Sequence, residues 1–302
     1  MVVFGDVIDD IVVVPQGPIR VDTDTPSSIR HRPGGSAANA AAWLASAGAE
    51  VDFVGLVGEG DVERHSADLA SVGVTPHLTA HPTLPTGAIV VLVDGQNRTM
   101  LTERGANAEL GPDDVPDALL DAAALVHFSG YSVFLSRDLD SFTRLMQRAG
   151  ARGVGVSVDP GSAGFLEDFG AERFLEVVAG ASIFLPNLDE GRILTGLRDP
   201  EEIATALCEH FPVVALTLGE TGVVVAVRGQ KCVHQQANRV TILDSTGAGD
   251  AFSAGFLASW LRTRDPQASA DAGVALASRA VSTVGGRPSC SSRGRCDQRG
   301  VS

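Results

Sequence analysis

The chain has 302 residues, 44% hydrophobic and 20% charged, with 37 Asp and Glu against 23 Lys and Arg for a formal charge of -14. A surface that acidic repels a phosphate backbone, which argues against a nucleic-acid-binding role, and no window reaches the ~18 consecutive apolar residues of a membrane-spanning helix. The length suits one large α/β domain or two smaller ones, and burial of roughly 75% of the unfolded surface.

In chain order, the opening Met1-Val2-Val3-Phe4-Gly5 is neither basic nor long enough for a secretory leader and reads instead as a first strand over residues 2–4. Residues 9–24 follow with extended patterns at 11–14 and 19–24 and no helical period. Helix-period segments at 37–47 and 62–72 flank a strand at 51–54. Residues 76–101 are again extended, at 87–93 and 98–101, broken by prolines and turn residues. These two stretches read as arms of a small antiparallel sheet projecting from the main body.

Beyond residue 101 the rhythm is regular. Buried strands are expected at 125–128, 154–158, 183–185 and 213–218, and helices at 136–149, 174–178, 190–195 and 201–209. The alternation predicts a mainly parallel sheet with helices on both faces, whose ligands bind at the carboxyl ends of the strands. Residues 5–10, 129–131, 159–161 and 186–187 occupy those ends. Two long helices close the body at 248–261 and 271–284, and the composition after Pro288 turns polar, so residues 289–302 are expected to be disordered. Cys208, Cys232, Cys290 and Cys296 are widely spread without C-x2-C spacing, which suits reduced thiols of a cytosolic protein and no zinc site.

The strongest chemical signal is Asp244-Ser245-Thr246-Gly247-Ala248-Gly249-Asp250, running into a helix with Phe252, Phe256 and Trp260 on one face. Gly247 and Gly249 let several backbone N–H groups converge at a helix start, which makes an anion hole. A carboxylate there would repel a phosphate. Asp250 therefore reads as a general base taking a proton from an alcohol while the amides hold a transferring phosphoryl group. A glycine-rich turn with Asp250 as an ordinary first-turn residue accounts for the short motif alone about equally well. The second signal is Pro33-Gly34-Gly35-Ser36-Ala37-Ala38-Asn39, where paired glycines admit a ligand to the backbone and Asn39 matches a hydroxyl. Taken alone, Ser36 as a helix N-cap explains it better.

Together these two segments resemble the paired signatures of the PfkB, or ribokinase-like, family of carbohydrate and nucleoside kinases. Asn187-Leu188-Asp189-Glu190 is similar to the family's Asn-x-x-Glu motif, Thr217-Leu218-Gly219-Glu220-Thr221-Gly222 resembles its nucleotide strand and turn, and residues 5–10 match its first strand. The resemblance covers roughly residues 1–289; no P-loop sequence occurs. It implies a three-layer αβα fold over residues 1–288 with a small β-sheet lid, and an ATP- and Mg²⁺-dependent transfer of the γ-phosphoryl group to a hydroxymethyl group of a small sugar.

Carried across residue by residue, the resemblance makes Asp250 the base and the amides of residues 246–250, with Gly247, Ala248 and Gly249 at their centre, the anion hole. Asn187 and Glu190 act on Mg²⁺ through water, while Thr217, Gly219 and Gly222 line the nucleotide site with Asn187. Asp10, Gly34, Gly35, Ser36 and Asn39 bind the sugar, Ser36 standing where some relatives have lysine. A potassium site would use Asp244, Thr246, Ala280, Thr283, Gly285 and Ser289. The lid would close over the sugar, excluding water, and form a homodimer interface. A nucleoside acceptor would share every one of these motifs, and a non-catalytic relative is a third, weaker reading. His77 and His81, flanked by prolines, read as surface histidines, Asp113-Asp114 and Glu201-Glu202 as first-turn helix acids, and Arg98 and Asn107 as solvated residues. Tyr131 reads equally as packing or as a flank of the sugar site.

Overall fold

The computed structural model describes residues 1–94 and 97–288. The tail expected after Pro288, and with it Ser289, lies outside the described residues.

Short β-branched and aromatic runs form the central sheet, because every side chain on them can be buried on one face or the other. Its strands are β1 (Val2–Phe4), β4 (Asp52–Gly58), β5 (Thr75–His81), β8 (Leu125–Ser129), β9 (Gly155–Asp159), β10 (Ile183–Phe184), β11 (Val213–Thr217), β12 (Val223–Val227) and β13 (Val233–Gln235). The spatial order is β13-β12-β11-β10-β9-β8-β1-β4-β5, parallel from β5 to β11 and antiparallel at the β11–β12 and β12–β13 pairs. A second sheet, in the order β3-β2-β6-β7, is built from β2 (Ile8–Pro15), β3 (Ser27–Gly34), β6 (Gly87–Asp94) and β7 (Asn97–Glu103). Its two hairpin arms are antiparallel and join through parallel pairing of β2 with β6.

Alternation along the strands divides the interior into two cores. Val2, Phe4, Val126, Phe128, Val156 and Val158 face one side. There they meet α3 (Asp117–Ala122), α4 (Gly130–Leu135), α5 (Asp140–Gly150), α6 (Ala163–Phe169), α7 (Ala171–Val177), α8 (Leu188–Thr195) and α9 (Pro200–Leu207). Val3, Phe53, Ile183 and Ala215 face the other, against α1 (Ser36–Ser46), α2 (Val62–Ser71), α10 (Ala248–Thr263) and α11 (Pro266–Val281). Fully buried Phe53 and Phe128 each contribute about 1.5–3 kcal/mol through the area they remove from water. Alanines 37, 38 and 41 on the sheet side of α1 bring that helix close, so its start lies directly above the strand ends.

Several elements depart from the sequence expectation. Residues 19–24 form no strand; the chain turns there, with Asp22 at φ 56°, and the second arm of the lid is Ser27–Gly34. Residues 76–81 belong to the main sheet, as its edge strand β5 paired on β4. The expected helix at 136–149 starts later, at Asp140, after a separate short helix at 130–135. The last helix starts earlier than expected, at Pro266, behind Asp265, whose carboxylate accepts the Ala268 N–H. No helix among the described residues is long and apolar enough to cross a membrane.

Candidate active site

The carboxyl ends of β1, β8, β9 and β11 open on one side of the sheet, and the N-termini of α1 and α10 point at the same place. A cleft of about 1080 Å³ runs between this edge and the inner face of the β3-β2-β6-β7 sheet. A smaller cavity of about 240 Å³ adjoins it, and Ser36, Tyr131, Gly247 and Asp250 line both.

Gly247 is the pivot of the second helix start. At φ 75° it takes a left-handed conformation, and a Cβ there would collide with the carbonyl of Gly286. The turn launches α10 so that the N–H groups of Gly249 and Asp250 have no intrahelical acceptor. A Cβ at Gly249 would meet no atom within 4 Å, so this side of the turn faces open space. The Asp250 carboxylate accepts a hydrogen bond from the Ser36 hydroxyl at 2.8 Å. Burial, with the charges of Asp159 and Asp6 nearby, pushes Asp250 up to about 8, against the stabilising contact with Ser36.

Asp6 builds the other helix start. Its two carboxylate oxygens accept the N–H groups of Ser36 at 2.9 Å and Ala37 at 3.0 Å, fixing the first turn of α1 to the end of β1. Gly35, at φ 96°, presses against the Asp6 carbonyl where any side chain would clash. Burial pushes Asp6 up, and these two N–H groups oppose that rise. Asp10, one turn of chain further on in β2, lies with its carboxyl against the α-carbon of Gly34. Burial pushes it up to about 6, with Arg287 and Arg32 pulling the other way.

The smaller cavity has an acidic floor. Asn187 and Glu190 cap α8 reciprocally: the Asn187 side chain accepts the Glu190 N–H at 3.0 Å and Glu190 accepts the Asn187 N–H at 2.8 Å. Asp159, at the end of β9, accepts Gly161 N–H at 2.9 Å and the Ser253 hydroxyl at 3.2 Å. Burial pushes both Glu190 and Asp159 above the ordinary carboxylate range, and Glu190 further so through the charge of Asp159.

Asp10, Gly35, Ser36, Asn39 and Asp250 thus line the large cleft, and Asn187, Glu190, Thr217 and residues 247–250 the small cavity. Gly34 contributes its carbonyl, which accepts Arg287 Nη2 at 2.8 Å. Gly219 and Gly222 lie outside both cavities, in the turn from β11 to β12, where Gly222 sits against the Gln235 carbonyl. Asp244 is turned onto Thr246, at 3.0 Å to its N–H and 2.7 Å to its hydroxyl, and onto Gly285 N–H at 3.0 Å. The Ala280 carbonyl accepts the Thr283 hydroxyl at 3.0 Å, next to this group but outside the two cavities.

Asn107 corrects the expectation of a solvated residue. It is buried, accepts Val7 N–H at 3.0 Å and donates to the Val7 carbonyl at 2.8 Å, tying the end of the lid to the connection between β1 and β2. The sequence reading also assigned no role to Asp6, Ser253 or Arg104. Asp6 lies two residues beyond β1 and Asp159 ends β9, so strand-end position was the available signal; Arg104 had none. Tyr131 lines both cavities and meets Phe165 edge-on, with ring centroids 5.9 Å apart.

The family model for "pfkB family carbohydrate kinase" matches residues 1–293. The chain is 30% identical over 297 residues to 2-dehydro-3-deoxygluconokinase of Thermoproteus tenax, covering 94% of this chain and 89% of that protein. It is 32% identical over 245 residues to ATP-dependent ribose-1-phosphate kinase of Halopiger xanaduensis, covering 79% and 76%. The crystal structure of adenosine kinase from Sinorhizobium meliloti superposes with a TM-score of 0.84 at 26% identity, covering 95% of each chain.

Proposed function

This chain belongs to the PfkB family of carbohydrate kinases, and on that premise we propose how its site performs the transfer. The protein is a phosphotransferase with an alcohol acceptor, an ATP-dependent kinase of a sugar or nucleoside. In our reading the acceptor is a small sugar and the reacting group its hydroxymethyl oxygen. Asp250 takes the hydroxyl proton, that oxygen bonds to the γ-phosphorus, and the bond to the bridging oxygen breaks to leave ADP. The N–H groups of Gly249 and Asp250 hold the charge that develops on the phosphoryl oxygens, since the Thr246 N–H is already given to Asp244 and the Ala248 N–H to the Ser245 carbonyl. The Ser36 hydroxyl orients Asp250 through its 2.8 Å hydrogen bond. Asp10, Gly35 and Asn39 position the sugar hydroxyls.

The observation that carries this reading is the position of Asp250, where the large cleft and the small cavity meet. A base there touches an acceptor on one side and a phosphoryl group on the other. Magnesium fits the acidic floor, since burial lifts both Glu190 and Asp159, the charge of Asp159 lifts Glu190 further, and a divalent cation beside them would relieve that cost. When bound, Mg²⁺ neutralises phosphate charge; Glu190 and Asn187 would hold it through water. The potassium set fits less well. Its oxygens at Asp244 and Ala280 already accept hydrogen bonds from the chain.

The lid sheet exposes Ile29 at 59% and Leu101 at 56%. These residues support a homodimer formed through the lid, which sedimentation analysis of the purified chain would detect as a doubled mass. A nucleoside acceptor has one observation in its favour, the Tyr131–Phe165 ring pair that could flank a base. Measuring ADP release with ribose, fructose, 2-keto-3-deoxygluconate and adenosine tests the reading. Acceptor-dependent ADP formation is expected with a sugar, and its absence with every alcohol would refute the proposal.

A further inference from the structure

The arginines of this acidic chain differ in their partners. Among the described residues Arg20, Arg173, Arg198, Arg228, Arg239, Arg262, Arg264 and Arg279 lie outside the large cleft and reach no carboxylate, and two further groups stand apart from them. Away from the cleft, Arg64, Arg137, Arg144, Arg148, Arg152 and Arg192 each reach a carboxylate. Arg30, Arg32, Arg104 and Arg287 line the large cleft. Among the described residues, none of these four has a carboxylate within ion-pair reach.

Two of them, Arg104 and Arg287, are nevertheless held in place. Arg104 stacks its guanidinium on the Phe165 ring, 5.0 Å from the centroid, which leaves its N–H donors free of protein acceptors. Arg32 lies beside Gly285, whose missing side chain leaves room for it: a Cβ there would come within 2.8 Å of Arg32 Nη1. Arg287 is anchored by two neutral acceptors, the Gly34 carbonyl at 2.8 Å and Asn39 Oδ1 at 3.2 Å. Ordered guanidiniums without a counter-charge are costly to bury and suited to bind one.

The carboxylates of the same cleft act on these guanidiniums only through space, Asp6 on Arg104 and Arg287, and Asp10 on Arg32 and Arg287, without closing an ion pair. Asp6 is committed to the N–H groups of Ser36 and Ala37, and Asp244 to Thr246 and Gly285. Burial pushes Asp250 up to about 8, which weakens the charge it offers near neutral pH, while a guanidinium stays charged. Nor do the arginines belong to the nucleotide phosphates: the small cavity floored by Asn187 and Glu190 has no Arg or Lys in its lining.

We propose that the acceptor is an anionic sugar, bearing a carboxylate or a phosphate ester that Arg104 and Arg32 hold while its hydroxyl faces Asp250. The chemistry rests on the kinase reading above; the binding of the anion does not. The full chain with MgATP is offered 2-keto-3-deoxygluconate and gluconate as sugar acids and ribose 1-phosphate and ribose 5-phosphate as sugar phosphates. Ribose, fructose and adenosine serve as neutral acceptors. Acceptor binding is measured in parallel by calorimetry with the same probes.

The expected result is a kcat/KM at least about 10-fold higher for one anionic acceptor than for any neutral one, and the preferred pair of probes separates carboxylate from phosphate. Arg104→Gln and Arg32→Gln should each raise the KM for that acceptor about 10- to 100-fold, as loss of a charge-assisted hydrogen bond does, with the KM for ATP within twofold. Arg104→Lys should recover part of the loss. A neutral acceptor that equals or exceeds every anionic one overturns the inference and leaves the kinase reading intact. So do Arg104→Gln and Arg32→Gln variants, folded by thermal melting, that leave the anionic KM unchanged or raise the KM for ATP instead. If no acceptor turns over, arginine-dependent binding of an anionic probe sustains the inference while the kinase reading falls, and absence of that binding overturns both.

Discussion

Replacing Asp250 by Asn should lower activity and raise stability, two effects of opposite sign from one atom pair. Burial first, then the charges of Asp159 and Asp6, lift this carboxyl from an ordinary 3.8 to about 8. The unfolded chain releases the proton near 3.8 and the folded chain keeps it to about 8, so ionisation opposes folding increasingly across that window and fully above it. At pH 7 the full shift corresponds to at most ~4 kcal/mol, and access of solvent through the cleft reduces it to about 1–2 kcal/mol. Asn removes that opposition and still offers an oxygen to the Ser36 hydroxyl. The variant should therefore melt a few °C above the parent at pH 8, by roughly 2–4 °C per kcal/mol, and with the parent near pH 4. Turnover should fall about 10²–10⁴-fold with ATP binding retained, the loss expected of a general base. Scanning calorimetry at the two pH values and steady-state ADP release measure both effects. A variant that turns over within a few-fold of the parent, or melts below it at pH 8, refutes the assignment.

Three further outcomes follow from the same geometry. Because Asp250 must be ionised to act, kcat/KM should rise with pH up to about 8 and then level, and this dependence should vanish in Asp250→Asn. Gly249→Val should fold normally, since a Cβ there meets no atom within 4 Å, yet lose about 10²–10³-fold in kcat by filling the anion hole; equal kcat would place the phosphoryl group elsewhere. Glu190→Gln keeps an oxygen for the Asn187 N–H, so melting should hold while the Mg²⁺ needed for half-maximal rate rises at least about 10-fold; an unchanged Mg²⁺ titration would remove Glu190 from the metal site.

What could be read in advance depended on how local the physics was. Strands such as β8 and β11 are buried on both faces and mostly apolar, and they announced themselves, as did the start of α10, where Gly247 and Gly249 lie two residues apart. Strand β3 did not, because Arg30, His31 and Arg32 lie on a largely exposed sheet and show no apolar alternation. Strand β5, with Pro76 and four polar side chains, looked like a lid arm; an edge strand tolerates both, since its outer N–H groups need no partner. Asp6 and Asn107 act on backbone 30 and 100 residues away in sequence, a relation that no window of sequence contains. Arg104 and Arg32 became informative only once ion pairs could be sought and found missing.

Transfer of labelled phosphate tests the central claim most directly. ATP carrying ³²P in the γ position is incubated with the purified chain, Mg²⁺ and each acceptor for a single turnover, and the products are separated. Label in a phosphate ester of the acceptor's hydroxymethyl group, absent with Asp250→Asn, is the predicted result. Label found only in inorganic phosphate, or the same ester formed equally well by Asp250→Asn, would contradict the account.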